Sequence, residues 1–191
     1  MHTFHFRKEQ QLSTNWSGGT TTQLIIYPFD AVFSERTFMF RISTATVETE
    51  TSSFTPFPGY KRLLMILEGT LRIVHTGEYS KVLDTFETDA FDGSWETTAK
   101  GKVRDFNVMY SKEVEDATLE KRELSKGETH LLSLEKYDFI GIYLLVGKIE
   151  LNNMLLEEND FILCERSILE NIFPVKAIEN SIFILVHIDL K

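Results

Sequence analysis

Ile66-Leu67-Glu68-Gly69-Thr70-Leu71-Arg72-Ile73 and Leu144-Leu145-Val146-Gly147-Lys148-Ile149-Glu150-Leu151 follow one pattern: two apolar residues, a variable one, glycine, a variable one, then apolar residues at alternate positions. Glycine reaches backbone conformations that other residues resist, so at Gly69 and Gly147 a buried strand can turn sharply into a hairpin. The first copy extends backwards through Leu63-Leu64-Met65, completing the continuous apolar run of a strand covered on both faces. It runs forwards through His75 to Gly77. The second copy closes the apolar stretch Phe139 to Val146 and leads into Leu156-Glu157-Glu158-Asn159-Asp160-Phe161-Ile162, where a turn delivers aspartate into a new strand. The pattern predicts an internal duplication of one β plan, although two unrelated hairpins would read the same way.

The same grammar continues on either side. Thr21 to Tyr27 is rich in β-branched residues and is bounded by Gly18-Gly19 and Pro28. From Thr37 to Ala45, Phe38, Phe40 and Ile42 fall on one face and Met39, Arg41 and Ser43 on the other, a period of two. Val103 to Met109, His130 to Leu134, Lys148 to Leu151, Leu155-Leu156, Asp160 to Cys164 and Ser181 to Ile188 also read as short strands. No long amphipathic helix stands out. Short strands separated by Gly, Asn and Asp turns point to a sandwich or barrel. The polar stretch Ser111 to Ala117 reads as a connector, dividing the chain into lobes 1–110 and 111–191.

With 191 residues, 42% of them hydrophobic, the chain can bury a real core. The formal net charge of −9, with no run of Lys or Arg, argues against a nucleic-acid partner. A single cysteine, Cys164, excludes an intrachain disulfide and fits a reducing compartment; inside Phe161-Ile162-Leu163 it reads as a small core residue. The N-terminus lacks the apolar stretch of a signal peptide, and Phe139 to Val146 and Ile182 to Ile188 are too short to span a bilayer. The expectation is a cytoplasmic protein with no membrane partner. Open strand edges in the second lobe leave room for a homodimer.

Five blocks in order resemble the HutD/Ves family. Trp16-Ser17-Gly18-Gly19-Thr20-Thr21-Thr22 is similar to its Trp-Asn-Gly-Gly-Gly-x-Thr signature, and Phe38 to Ala45 to its Arg-Ile-Ser block. Phe54-Thr55-Pro56-Phe57-Pro58-Gly59-Tyr60-Lys61-Arg62 is similar to its Phe-Pro-Gly block. Phe91-Asp92-Gly93 and Gly101 to Met109 are similar to the last two. Ser17 and Thr20 depart from the family's usual Asn and Gly, and the match fades after residue 110. The resemblance implies an all-β, two-lobed cupin fold of the jelly-roll type, and a link to histidine utilisation or stress response. It implies no particular reaction.

Many cupins hold a metal through a His-x-His pair, a nearby Glu and a later His, whose donors must converge on the ion. The histidines here are His2, His5, His75, His130 and His187, with no His-x-His. Neither a metal nor another cofactor is therefore expected. The candidate site is polar instead. Arg41 and Ser43 share one strand face, Asp105 and Asn107 share another, and Arg62 enters the buried run at Leu63. The planar fork of arginine suits a carboxylate, so Arg41 and Arg62 would receive the acid, Ser43 and Asn107 would orient it, and Asp105 would hold an arginine or accept from a ligand N–H. An Arg41–Asp105 or Arg62–Asp105 ion pair that only pins strands is the competing reading. Beside an arginine, Asp105 should have a lowered pKa and make a poor base. Trp16 with Gly18-Gly19 could line the pocket or pack in the core, and Tyr60 is equally ambiguous. Trp95 and Glu96 read as surface or rim residues. No nucleophile elbow or triad spacing appears. The expected function is a non-catalytic carboxylate-binding or regulatory protein; a metal-independent isomerase or lyase, and a structural protein without ligand, are the alternatives.

Overall fold

The computed structural model describes residues 2–167 and 172–191. Strands dominate them: β1 (His2–Phe6), β2 (Leu12–Trp16), β3 (Gly19–Tyr27), β4 (Phe40–Val47), β5 (Thr51–Phe54), β6 (Tyr60–Glu68), β7 (Leu71–His75), β8 (Tyr79–Leu83), β9 (Thr88–Asp92), β10 (Thr97–Lys100) and β11 (Val103–Ser111). There follow β12 (Val114–Leu124), β13 (Thr129–Ser133), β14 (Phe139–Val146), β15 (Ile149–Leu151), β16 (Met154–Leu156), β17 (Phe161–Glu165), β18 (Ile172–Ala177) and β19 (Ser181–Leu190). Among the described residues two short 3₁₀ turns, Lys8–Gln10 and Phe33–Glu35, interrupt them. Among the described residues no helix is long and apolar enough to cross a membrane.

The chain divides into two compact units. Leu12–Val114 forms one; Met1–Gln11 together with Glu115–Lys191 forms the other. In the first, a six-stranded sheet in the order β2-β3-β4-β11-β6-β9 is accompanied by a four-stranded sheet, β5-β10-β7-β8. Leu64, Ile66 and Phe91 from the first sheet and Leu71, Ile73, Leu83 and Ala99 from the second share one buried cluster, so the two sheets close over a common core. In the second unit the sheets run β1-β17-β14-β19-β12 and β13-β18-β15-β16, around a core that includes Ile142, Leu144, Ile149, Leu151, Phe173 and Leu185.

The orders repeat element for element. β4-β11-β6-β9 corresponds to β12-β19-β14-β17, and β5-β10-β7-β8 to β13-β18-β15-β16. The duplicated glycines occupy the same place in both, between β6 and β7 and between β14 and β15, with φ of 90° and 89°. The glycine-centred phrase therefore marks a true structural repeat.

Two features differ from the expected lobes. Ser111 to Ala117 is not a free connector: it holds a tight turn at Lys112-Glu113, after which β12 begins at Val114. The first residues also leave the first lobe, because β1 pairs antiparallel with β17, from His2 opposite Glu165 to Phe6 opposite Phe161. The Asp160 carboxylate fixes this arrangement. It accepts the backbone N–H of Lys8 at 3.0 Å and of Glu157 at 3.1 Å, and lies 3.1 Å from His5 Nε2.

Candidate functional site

In the first unit the register of the six-stranded sheet decides which side chains share its inner face. Leu64 and Ile66 belong to the core on that face, and Arg62 is two residues before Leu64 on the same strand. Asp105 lies opposite Ile66, Asn107 opposite Leu64 and Met109 opposite Arg62. Across β11, Asn107 faces Ser43 and Met109 faces Arg41; across β4, Ser43 faces Gln23 and Arg41 faces Ile26. The inner face thus carries the rows Ile26-Arg41-Met109-Arg62-Phe91 and Gln23-Ser43-Asn107-Leu64-Asp89. Two arginines, an asparagine, a serine, a glutamine, Asp89 and, one row on, Asp105 interrupt the apolar barrel lining.

Each arginine is held but not neutralised. Arg41 Nε donates to Gln23 Oε1 at 2.8 Å, its Nη1 reaches Ser43 Oγ at 3.4 Å, and its guanidinium lies 4.4 Å over the Phe33 ring. Arg62 Nη2 donates to the Thr55 carbonyl at 2.7 Å, and its guanidinium lies 5.5 Å from the Phe54 ring. Among the described residues no ion pair joins Arg41, Arg62 or Asp105 to any partner. The strand-pinning ion pair is therefore not formed. Arg62 Nε and Asn107 Oδ1 are buried with no hydrogen-bond partner. An orphaned buried polar group costs roughly 1–3 kcal/mol, so two in one site are a substantial expense unless something fills it.

The electrostatics agree. Burial, reinforced by Arg62, lowers the Arg41 pKa to about 10, and burial lowers that of Arg62 to about 10 despite the opposing pull of Asp105. Both remain cationic near neutral pH. Burial raises the Asp105 carboxyl to about 7, with Arg62 pulling it down. This reverses the expectation of a depressed carboxylate, because desolvation of a fully enclosed group outweighs an arginine that does not touch it. The cluster holds more positive than negative charge in a low-dielectric space, which is the condition for receiving an anion.

Of the sequence-predicted residues, Arg41, Ser43, Arg62, Asp105 and Asn107 share this face. Tyr60 shares it too, but its hydroxyl donates to the carbonyls of Arg36 and Phe38, and its ring packs among Phe38 and Phe57. It shapes one end of the lining. Trp16 is elsewhere, at the tip of the β2–β3 hairpin, bordering a separate cleft with Arg72 and Lys100. Trp95 is half-buried at the rim of the core, packing against it and against His75, ring centroids 5.4 Å apart, and Glu96 beside it is exposed. Cys164 is fully buried, and burial pushes its thiol up to about 12, as befits a core residue.

Sequence reasoning missed Gln23, which orients Arg41, and a buried network that joins Asp89 on this face to the four-stranded sheet. His75 Nδ1 lies 2.7 Å from Thr97 Oγ1, and His75 Nε2 lies 3.0 Å from Asp89 Oδ2; Tyr79 donates to Asp89 Oδ1 at 3.0 Å. With both ring nitrogens engaged and almost no exposure, His75 ties the two sheets together rather than meeting a substrate. Its alternation with Leu71 and Ile73 was the available signal.

A family model for HutD matches residues 8–179. The chain belongs to the HutD family. Its fold is that of a conserved protein of unknown function from Pseudomonas aeruginosa PAO1, with TM-score 0.82 at 22% identity, covering 99% of this chain and 100% of the other. It is also that of HutD from Pseudomonas fluorescens SBW25, solved in a formate condition, with TM-score 0.77 at 18% identity and full coverage of both chains. The bacterial pirin YhhW from Escherichia coli, in complex with nickel(II), superposes with TM-score 0.78 at 13% identity, again over the whole of both chains. No curated protein matches the sequence significantly. The architecture of this HutD-family chain is thus the two-lobed cupin fold.

The pirin's nickel invites a test of the donors here. Among the described residues no three His, Cys, Asp or Glu side chains could hold a metal ion together. The Arg41–Arg62 cluster offers guanidinium and amide groups with Asp105 as its one carboxyl, a set that does not suit one. The internal repeat sharpens the contrast. Arg62 stands seven residues before Gly69, as Ile140 stands seven before Gly147; Leu64 likewise matches Ile142. Register then matches Asn107 to Leu185, opposite Leu64 and Ile142 respectively. Where the first unit of this HutD-family chain has arginine and asparagine, the second has isoleucine and leucine in its core. The plan tolerates apolar residues at these positions, so the polar set in the first unit is a specialisation.

Proposed function

We propose that this HutD-family chain is a non-catalytic binding protein for a small organic acid, which it senses or sequesters inside the first barrel in connection with histidine utilisation. The observation that carries the reading is the pair of enclosed arginines, Arg41 and Arg62, with no carboxylate in contact and with Arg62 Nε unpartnered. A ligand carboxylate would accept from Arg62 Nε and from Arg41 in charge-assisted bonds. The orphaned Asn107 Oδ1 adds a requirement: it needs a donor, so a preferred acid carries an N–H or O–H near its carboxylate. The formate condition of the P. fluorescens relative makes formate the simplest probe. Asp105, with its pKa near 7, supports a second reading as a metal-independent enzyme using an acid–base carboxyl.

Thermal unfolding with formate, simple hydroxy and amino acids, and acids of histidine breakdown tests both. An acid at about 100 times its Kd should add roughly 2.7 kcal/mol of stability. Arg41→Ala should abolish the shift. Asn107→Leu, which copies the second unit, should weaken binding while raising ligand-free stability by about 1 kcal/mol, because an orphaned acceptor is removed. If no acid shifts the wild type and Asn107→Leu is destabilised, the cluster is structural. If the bound acid is consumed over hours, as read by NMR, the enzyme reading replaces the binding one.

A further inference from the structure

The Trp16-Ser17-Gly18-Gly19 block, prominent in the sequence, takes no part in the inner-face cluster. It belongs to a cleft of about 720 Å³ on the first unit, bordered by the β2–β3 hairpin tip and by β5, β7 and β10. The cleft's floor is the outer face of the four-stranded sheet. Ile73 and Ala99 point inward to the core, so Arg72, Val74, Thr98 and Lys100 point outward. Register places Lys100 directly opposite Arg72 on one side and Thr51 on the other, and Thr98 opposite Ser53.

Like charges directly opposite one another on neighbouring strands repel and destabilise a sheet. Among the described residues neither Arg72 nor Lys100 joins an ion pair; the nearby Glu50 pairs with Lys102 instead, at 3.4 Å. The repulsion is left in place in a chain whose net charge is −9. The wall is as specific as the floor. A Cβ at Gly18 would fall 2.1 Å from the Trp16 ring, so the indole packs against the Gly18 backbone in a place that a side chain there would force it to leave. The tip is tied down by Glu48 N–H donating to the Gly18 carbonyl at 2.8 Å, and a Cβ at Gly19 would strike the Thr46 carbonyl. Trp16 remains 38% exposed. A half-exposed indole on an anchored hairpin tip, beside two unneutralised cations and a row of hydroxyls, is a platform for a ring that carries an anion. The cleft volume is in the range of small-molecule sites.

We propose that this cleft is a second binding site, independent of the Arg41–Arg62 cluster, for a phosphorylated, ring-bearing metabolite of the nucleoside monophosphate class. The phosphate lies between Arg72 and Lys100, the ring stacks on Trp16, and Thr51 and Thr98 meet the ligand's hydroxyls.

Trp16 supplies the readout. In a Trp95→Phe background it is the sole tryptophan, since the chain has two. Titration with adenosine monophosphate should quench its fluorescence saturably. Ribose 5-phosphate, which keeps the phosphate but not the ring, should bind about tenfold more weakly or worse, as should adenosine monophosphate with the exposed double variant Arg72→Ala/Lys100→Ala. Arg41→Ala should bind it as the parent does. The proposal fails if no saturable quench appears at millimolar ligand, if the double variant binds like the parent, or if ribose 5-phosphate binds as tightly as adenosine monophosphate. It also fails as an independent site if Arg41→Ala abolishes the signal.

Discussion

Asp105 gives the candidate site its pH dependence. Its carboxyl titrates near 7 in the folded chain because burial disfavours the charge, against an ordinary value of 3.8. The folded state therefore binds this proton more tightly than the unfolded state does. Stability from this group is fully present below about pH 4, is lost as pH rises towards 7, and is level above, a swing of at most about 4 kcal/mol at ~1.4 kcal/mol per unit. Ligand binding follows the same sign, since an ionised Asp105 competes for Arg62. Acid affinity should fall as pH rises from 6 to 8, and Asp105→Asn should flatten that profile in calorimetric titration. An unchanged slope in the variant would remove Asp105 from the site. Arg41, Ser43, Arg62, Asp105 and Asn107 were legible because strand alternation assigns neighbouring residues to faces. Gln23 was not: the register of β3 against β4 shifts between Gln23 and Ile25, so that Gln23 and Ile26, three residues apart, face the same way. A bulge of that kind breaks the period of two and leaves no mark in composition. His75, Asp89 and Thr97 were hidden for another reason, since they come from three strands whose adjacency is a property of the barrel.

The glycine-centred hairpins are where element and sequence agree most closely, and they carry a test. Gly147 has φ of 89°, and a Cβ there would lie 2.2 Å from the Asn180 carbonyl oxygen and 2.6 Å from Ser181 Oγ, which accepts the Lys148 N–H. Gly127 has a similar φ of 88° but open space around it. Gly127→Ala therefore meets backbone strain alone, and about 1 kcal/mol should be lost. Gly147→Ala adds a steric clash with backbone and should lose at least about 2 kcal/mol more, read as the shift in urea midpoint at constant m. Equal losses would mean that conformation alone, and not the close approach of the Asn180 strand entry, selects glycine. The strands on which these hairpins rest, β6 and β14, were legible as apolar runs. β10 and β12 were not. Thr97–Lys100 is only four residues, and Val114–Leu124 carries charged residues along most of its length, so its strand character comes from pairing beside β19 and not from its own hydrophobicity.

At the scale of the whole chain, the surprise is that the first eleven residues join the unit formed by the last seventy-seven, Glu115–Lys191. Nothing in His2–Phe6 names a partner more than 150 residues away; the pairing with β17 is a long-range ladder, sealed by Asp160 and by the Phe6 and Phe161 rings at 6.3 Å. β17 is flanked by β1 on one side and β14 on the other. In an antiparallel ladder successive residues direct their N–H groups to opposite neighbours, so half of the β17 amides are bonded to β1 and half to β14. Deleting residues 1–11 should therefore strip hydrogen-exchange protection from every second amide of Phe161–Glu165 and leave those bonded to β14 protected. Amides of β6 and β11 in the other unit should exchange as before, and the stabilisation by carboxylic acids should persist, because the Arg41–Arg62 cluster lies wholly within Leu12–Val114. The newly bared β17 edge should also raise the tendency to self-associate on heating. Alternating loss confined to β17 would mean that β1 is an added edge strand on a unit that stands without it. Loss of protection throughout β14, β17 and β19 would mean instead that the ladder from the N-terminus is required to close the second barrel, and that the first eleven residues belong to its folding core.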